Sequence, residues 1–168
     1  MQHIKATVAV AAIASAFALS LPAFGHGDAK HESSEGTKKS TPAEQTAFGI
    51  AGDPAKVSRT IDMEALDTFR FTQDKISVKR GETIRFVMRN TGKIQHEIVI
   101  GTMKELEEHA ELMKKFPEME HEGANMAHVA PGQSGEIVWT FNRPGSFNFA
   151  CLIAGHFEAG MIGTVVVS

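Results

Sequence analysis

The chain changes its hydrophobic rhythm twice. Residues 6–21 form an almost unbroken apolar run behind Lys5, whereas 26–56 carry only Phe48 and Ile50 as large apolar side chains. From Val57 onward, short apolar alternations are separated by turn residues, among them Lys79-Arg80-Gly81-Glu82, Asn90-Thr91-Gly92 and Asn142-Arg143-Pro144-Gly145. In 83–90, Ile84, Phe86 and Met88 alternate with Thr83, Arg85, Val87 and Arg89. A period of two puts alternate side chains on opposite faces, so this segment predicts a half-buried strand. Further strands are predicted over 57–63, 69–78 with a break, 96–100, 136–141, 145–151 and 162–167. About seven short strands with turns between them predict an all-β fold, a Greek-key sandwich.

One segment follows a helical period instead. Thr102-Met103-Lys104-Glu105 is a Thr-x-x-Glu capping box, Lys114 and Lys115 suit a helix carboxyl end, and Pro117 stands beyond the stop. One inserted helix is therefore expected over about 102–115. Met103, Leu106, Ala110 and Met113 form its apolar stripe, which makes these methionines packing residues, with His109 solvated beside them.

Charge and composition narrow the function classes. Lys and Arg number 17 against 20 Asp and Glu, a net charge of −3, so no basic surface argues for nucleic acid. Lys5, the apolar run and Pro22-Ala23-Phe24-Gly25 read as an export signal over 1–25, with cleavage before His26 and no stable membrane insertion afterwards. A retained transmembrane helix would need about 20 apolar residues, and this run stops short at a proline. Residues 26–56 read as a flexible, His-containing leader, because too little apolar surface is present to offset ordering entropy. The folded domain is expected over 57–168, in the periplasm.

Export makes the single cysteine informative, since Cys151 cannot close a disulfide within the chain. Phe147, Phe149 and Cys151 share one strand face, and His96 shares a face with Ile98 and Ile100, so both polar groups are aimed at the interior. His156 and Met161 each follow the preceding donor by five positions, a spacing of neither strand nor helix, and each is preceded by an Ala-Gly pair that lets a loop bend back. Two imidazoles, a thiolate and a thioether match a type 1 copper site, with zinc the runner-up metal.

On these residues the sequence resembles the cupredoxins, the plastocyanin and azurin family, over roughly 57–168. His96-Glu97, Cys151, Gly155-His156 and Met161 fall on the family's copper-ligand pattern. The helical insertion, the Met/His-rich segment 119–128 and the run from Phe149 to Met161 are similar to exported copper-tolerance cupredoxins of the CopI type. The resemblance implies a cupredoxin sandwich, a copper cofactor and a part in copper handling. The chain departs from it at Glu97, where azurin-like and plastocyanin-like proteins carry Asn, so whether that position ties down the ligand loop is left open by the resemblance.

Four protein donors leave little room for substrate, so one-electron copper chemistry is expected rather than catalysis. His156, flanked by Leu152, Ile153 and Phe157, is expected to lie nearest solvent, where a redox protein partner would dock. Copper tolerance, a respiratory electron shuttle and an enzyme with Cys151 as nucleophile are the three readings, and the last lacks an oxyanion-hole motif. Met119, His121, Met126 and His128, together with His26 and His31 of the leader, are candidate donors for additional copper, set against solvated loop and tail.

Overall fold

The structure, a computed structural model, describes residues 43–117, 119 and 121–168. The expected export signal and the candidate donors His26 and His31 lie outside the described residues. Among the described residues, ten strands form two five-stranded sheets. The first runs in the order β1 (Ile50–Ala51), β8 (Ser134–Thr140), β5 (Thr83–Asn90), β2 (Arg59–Leu66) and β3 (Arg70–Phe71). The second runs β4 (Lys75–Val78), β10 (Ile162–Val167), β9 (Gly145–Ala150), β6 (His96–Gly101) and β7 (Met126–Val129). β2 pairs parallel with β5 and β4 with β10, and the other pairs are antiparallel.

The period-two pattern of β5 is realised: Ile84, Phe86 and Met88 are fully buried between the sheets. Burying a side chain of this size contributes about 2 kcal/mol. Phe147, Phe149 and Cys151 meet the same core, as do Ile98 and Ile100 behind His96. All six residues of β6 are buried, because its second face is covered as well. There Val99, Ala150 and Leu152 pack against Leu106, Ala110 and Met113 of α1 (Met103–Lys115). Both halves of the Thr102 and Glu105 capping box are formed. Met103 departs from the expected stripe, being 36% exposed, so the packed face begins at Leu106.

Three differences from the sequence reading are instructive. The segment 69–78 divides into β3 and β4, which belong to different sheets. Part of the supposed leader joins the folded domain: Phe48 is buried, stacks on Trp139 with ring centroids 5.1 Å apart, and accepts the indole N–H at its carbonyl, while β1 adds an edge to β8. Two apolar residues suffice there because the sandwich presents them with a ready surface. Finally, 126–129 forms β7 rather than loop, paired to β6 with Glu97 opposite His128.

Candidate metal centre

Four candidate ligands were expected from two stretches of the chain, and the fold brings both to one end of the sandwich. His96 opens β6, where its face points between the sheets. Asn90, at the end of β5, fixes the approach to it: its amide donates to the carbonyls of Ile94 and Val129, and its oxygen accepts the Gly92 N–H. Cys151 follows β9 immediately and continues the inward parity of Phe147 and Phe149.

Beyond Cys151 the chain makes a loop that returns to β10. The Cys151 N–H donates to the Met161 carbonyl, and the Met161 N–H donates to the His156 carbonyl. Gly155 and Gly160 have φ of 90° and 88°, the left-handed region that glycine enters without steric cost. These are the glycines of the two Ala-Gly pairs, so the bends fall where the sequence placed them. Two exposed cations hold the loop from outside: Lys114 of α1 lies 2.8 Å from Glu158, and Arg70 of β3 donates to the Ala159 carbonyl.

His96, Cys151 and His156 each present a donor atom, all within 4.8 Å of one another, and all three residues are buried. Cys151 Sγ lies 3.3 Å from His156 Nδ1. Met161 is fully buried in the same core cluster as Cys151. His156 is 7% exposed and His96, Cys151 and Met161 not at all, so His156 is the most accessible of the four. Of the apolar neighbours expected around it, Ile153 and Phe157 are partly exposed, but Leu152 is fully buried under α1 and forms no part of the rim.

The sequence reading missed two residues of the turn between β2 and β3. Phe69 lays its ring on His156 with centroids 4.6 Å apart, and does so with φ of 58°, a conformation uncommon for a bulky residue. Asp67 approaches His96 Nε2 to 3.5 Å while its carboxylate accepts the Lys93 N–H. A carboxylate there favours the proton on Nε2 and leaves the Nδ1 lone pair free to ligate. Their turn belongs to the other sheet, so no local feature of the sequence marks it as part of the site.

Glu97 answers the question left open by the departure from Asn, because it does tie down the ligand loop. Its N–H donates to Cys151 Sγ at 3.4 Å and its Oε1 accepts the Leu152 N–H at 2.8 Å, so the carboxylate holds the loop on both sides of the thiol.

The electrostatics fit a cation. Burial pushes the Cys151 thiol up to about 12, and burial also holds His96 and His156 below the ordinary histidine range. Both His96 nitrogens are shielded from solvent and form no hydrogen bond. Orphaned buried polar atoms are costly, and a metal ion both satisfies neutral imidazoles and displaces a thiol proton. The soft sulfur among the donors suits copper.

The remaining candidates divide. His121 and His128 converge on Glu97, with one donor atom from each residue within 4.8 Å of the others. Met119 is exposed and lines the adjoining cleft, whereas Met126 packs against the apolar layer beneath α1. His109, expected to be solvated, is half-buried with its ring edge-on to His121. Among the described residues no helix is long and apolar enough to cross a membrane.

Residues 55–168 match the family of copper binding proteins described as plastocyanin/azurin. The chain is 53% identical over 122 residues to the copper-resistant cuproprotein CopI of Rubrivivax gelatinosus, covering 73% of this chain and 74% of that one. It is 32% identical over 158 residues to CopI of Pseudomonas aeruginosa, covering 77% and 87%. Among solved structures, auracyanin B superposes with a TM-score of 0.59 over 76% of this chain and 99% of that one, at 19% identity. The auracyanin of Roseiflexus castenholzii gives 0.57 over 67% and 98%, at 24% identity. Matched by the family over residues 55–168 and by a relative at 53% identity, this copper-binding chain belongs to the plastocyanin/azurin family.

Proposed function

We propose that the protein is an exported, periplasmic type 1 copper protein of copper tolerance, with His96, Cys151, His156 and Met161 as its ligands. The observation that carries this reading is the meeting of His96, Cys151 and His156 within 4.8 Å in a buried pocket, with Met161 buried beside them. Copper held there supplies one-electron exchange between Cu(I) and Cu(II). The protein's part is positional. The Glu97 N–H and carboxylate fix the thiol and its following amide, Asp67 orients His96, and Phe69 covers His156. A rigid donor set spares reorganisation when the charge of the metal changes. Four protein donors leave no coordination position for a substrate, which favours redox or storage over catalysis.

Phe69, Ile153 and Phe157 are partly exposed around His156, the natural place for a redox partner to dock. Copper tolerance rests on the likeness to proteins named copper-resistant at 53% and 32% identity, and export on the Lys5 and apolar-run pattern of the first 25 residues.

The copper-loaded protein is expected to show an intense visible thiolate-to-copper band that Cys151→Ser abolishes. Persistence of the band in Cys151→Ser overturns the ligand assignment. A deletion strain that is copper-sensitive supports tolerance; one with normal tolerance but impaired respiration points to an electron shuttle instead.

A further inference from the structure

The strand that carries His96 into the core carries Glu97 out of its other face. There Glu97 lies directly across from His128 of β7, and its Oε2 stands 3.0 Å from His128 Nδ1. Oε2 is shielded from solvent, yet the contact lacks the alignment of a hydrogen bond. A buried carboxylate oxygen close to a ring nitrogen without a well-formed bond between them is a costly arrangement unless something else joins them.

The ring tautomers show what that is. His121 Nδ1 lies 3.0 Å from the Met119 carbonyl and His128 Nε2 lies 3.0 Å from the His121 carbonyl. A carbonyl only accepts, so those two nitrogens carry the protons. In the neutral rings the lone pairs are then left on His121 Nε2 and His128 Nδ1. His121 Nε2 is shielded from solvent and has no hydrogen-bond partner. Histidines anchored through one nitrogen to a backbone carbonyl, with the other nitrogen bare, are in the state that metal-ligating histidines adopt.

We propose that Glu97, His121 and His128 form a second metal site, for a divalent late transition-metal ion, with Cu(II) preferred over Zn(II). Two imidazoles and a carboxylate suit either ion, and the general order of stability puts Cu(II) above Zn(II). Ligand bonds of about 2.0–2.2 Å require donors about 3–3.5 Å apart. The contact between Glu97 and His128 already meets this, and the full set, within 4.8 Å, needs only a small closure of His121. His109 stands edge-on to His121 with ring centroids 4.5 Å apart, ready to complete the surroundings. Entry is open: the residues line a cleft of about 670 Å³, and the His128 side chain is 37% exposed.

This site differs from the thiol-containing one in donors and accessibility, and does not depend on it. Glu97 nonetheless touches both, since its Oε1 and N–H hold the Cys151 segment while Oε2 faces the imidazoles.

The test is a Cu(II) titration of the full chain and of His121→Ala, His128→Ala and their double variant, followed by visible absorption and electron-spin resonance. Besides any copper that gives a thiolate band, the wild type is expected to bind one equivalent with nitrogen and oxygen donors only. Each single variant should weaken that equivalent at least about tenfold, and the thiolate band should be unchanged. Cys151→Ser should retain it, so loss of the thiolate band there bears on the proposed function and not on this site. A wild type that saturates without such a signal overturns the proposal. So does a double variant that binds the second equivalent as tightly as wild type, for then the leader or another surface holds it.

Discussion

The two clusters begin at adjacent residues and live in different worlds. His96 faces the core between the sheets, where it meets Cys151 and His156 without solvent; Glu97 faces the layer under α1, where it meets His121 and His128 beside an open cleft. The pleat of one strand separates them. The inner cluster has a thiol and is roofed by Phe69, so its metal would be soft, buried and slow to leave. The outer one has a carboxylate and an exposed imidazole, so its metal would exchange with solvent. A single strand thus sorts donors by face, and the environment of each face decides the chemistry.

The largest effect that sharpens this contrast is alkaline. In the metal-free protein burial keeps the proton on Cys151 up to about 12, whereas an unfolded, solvated thiol loses it near 9.0. The folded state then holds the extra proton, so stability is fully present below about pH 9 and falls as pH rises through that window. The slope approaches about 1.4 kcal/mol per pH unit. Urea unfolding should show a steeper fall in wild type than in Cys151→Ser, where only the alkaline titration of groups such as Lys104 and Lys114 remains; equal slopes would mean that the thiol is not held protonated.

Next is Glu97, the residue common to both clusters. Glu97→Ala strands the buried Leu152 N–H and should cost the metal-free protein about 1–3 kcal/mol. Glu97→Gln keeps an acceptor for that N–H and should cost clearly less. If the two variants unfold at the same urea concentration, the link through Leu152 is not what holds the loop.

A smaller effect concerns the roof of the inner cluster. Phe69 adopts φ of 58°, so Phe69→Gly should be more stable than Phe69→Ala by about 1 kcal/mol, although both lose the ring over His156. The reverse order in thermal unfolding would show the backbone unstrained there. Smallest is Lys114→Ala, which removes an exposed ion pair to Glu158 and should cost no more than about 0.5 kcal/mol, with the difference vanishing in 1 M salt. A larger, salt-independent loss would make α1 a structural clamp on the ligand loop rather than a weak tether.

Much of the inner cluster was legible before any coordinates. The parity of Phe147, Phe149 and Cys151, that of His96 with Ile98 and Ile100, and the Ala-Gly bends before His156 and Met161 are local features, and each recurs in the fold. The helix was legible for the same reason, since its capping box spans four residues. Asp67 and Phe69 were not, because their turn belongs to the other sheet and reaches the site only when the sandwich closes. Phe48 and β1 were missed because two apolar residues among polar ones carry no periodic signal; their stability comes from Trp139 and β8, far along the chain. Glu97 was read as a departure, yet its carboxylate reaches the Leu152 amide across the pairing of β6 with β9.

The sequence by itself determined which side chains turn inward, where the helix begins and where the ligand loop bends, since these depend on side-chain alternation, capping and glycine conformations within a few residues. Only the tertiary structure decided which donors share a centre and which groups orient them. Convergence of His96 with Cys151, and of Glu97 with His121 and His128, depends on strand register and sheet closure, which are set by the whole packed core and not by any one segment.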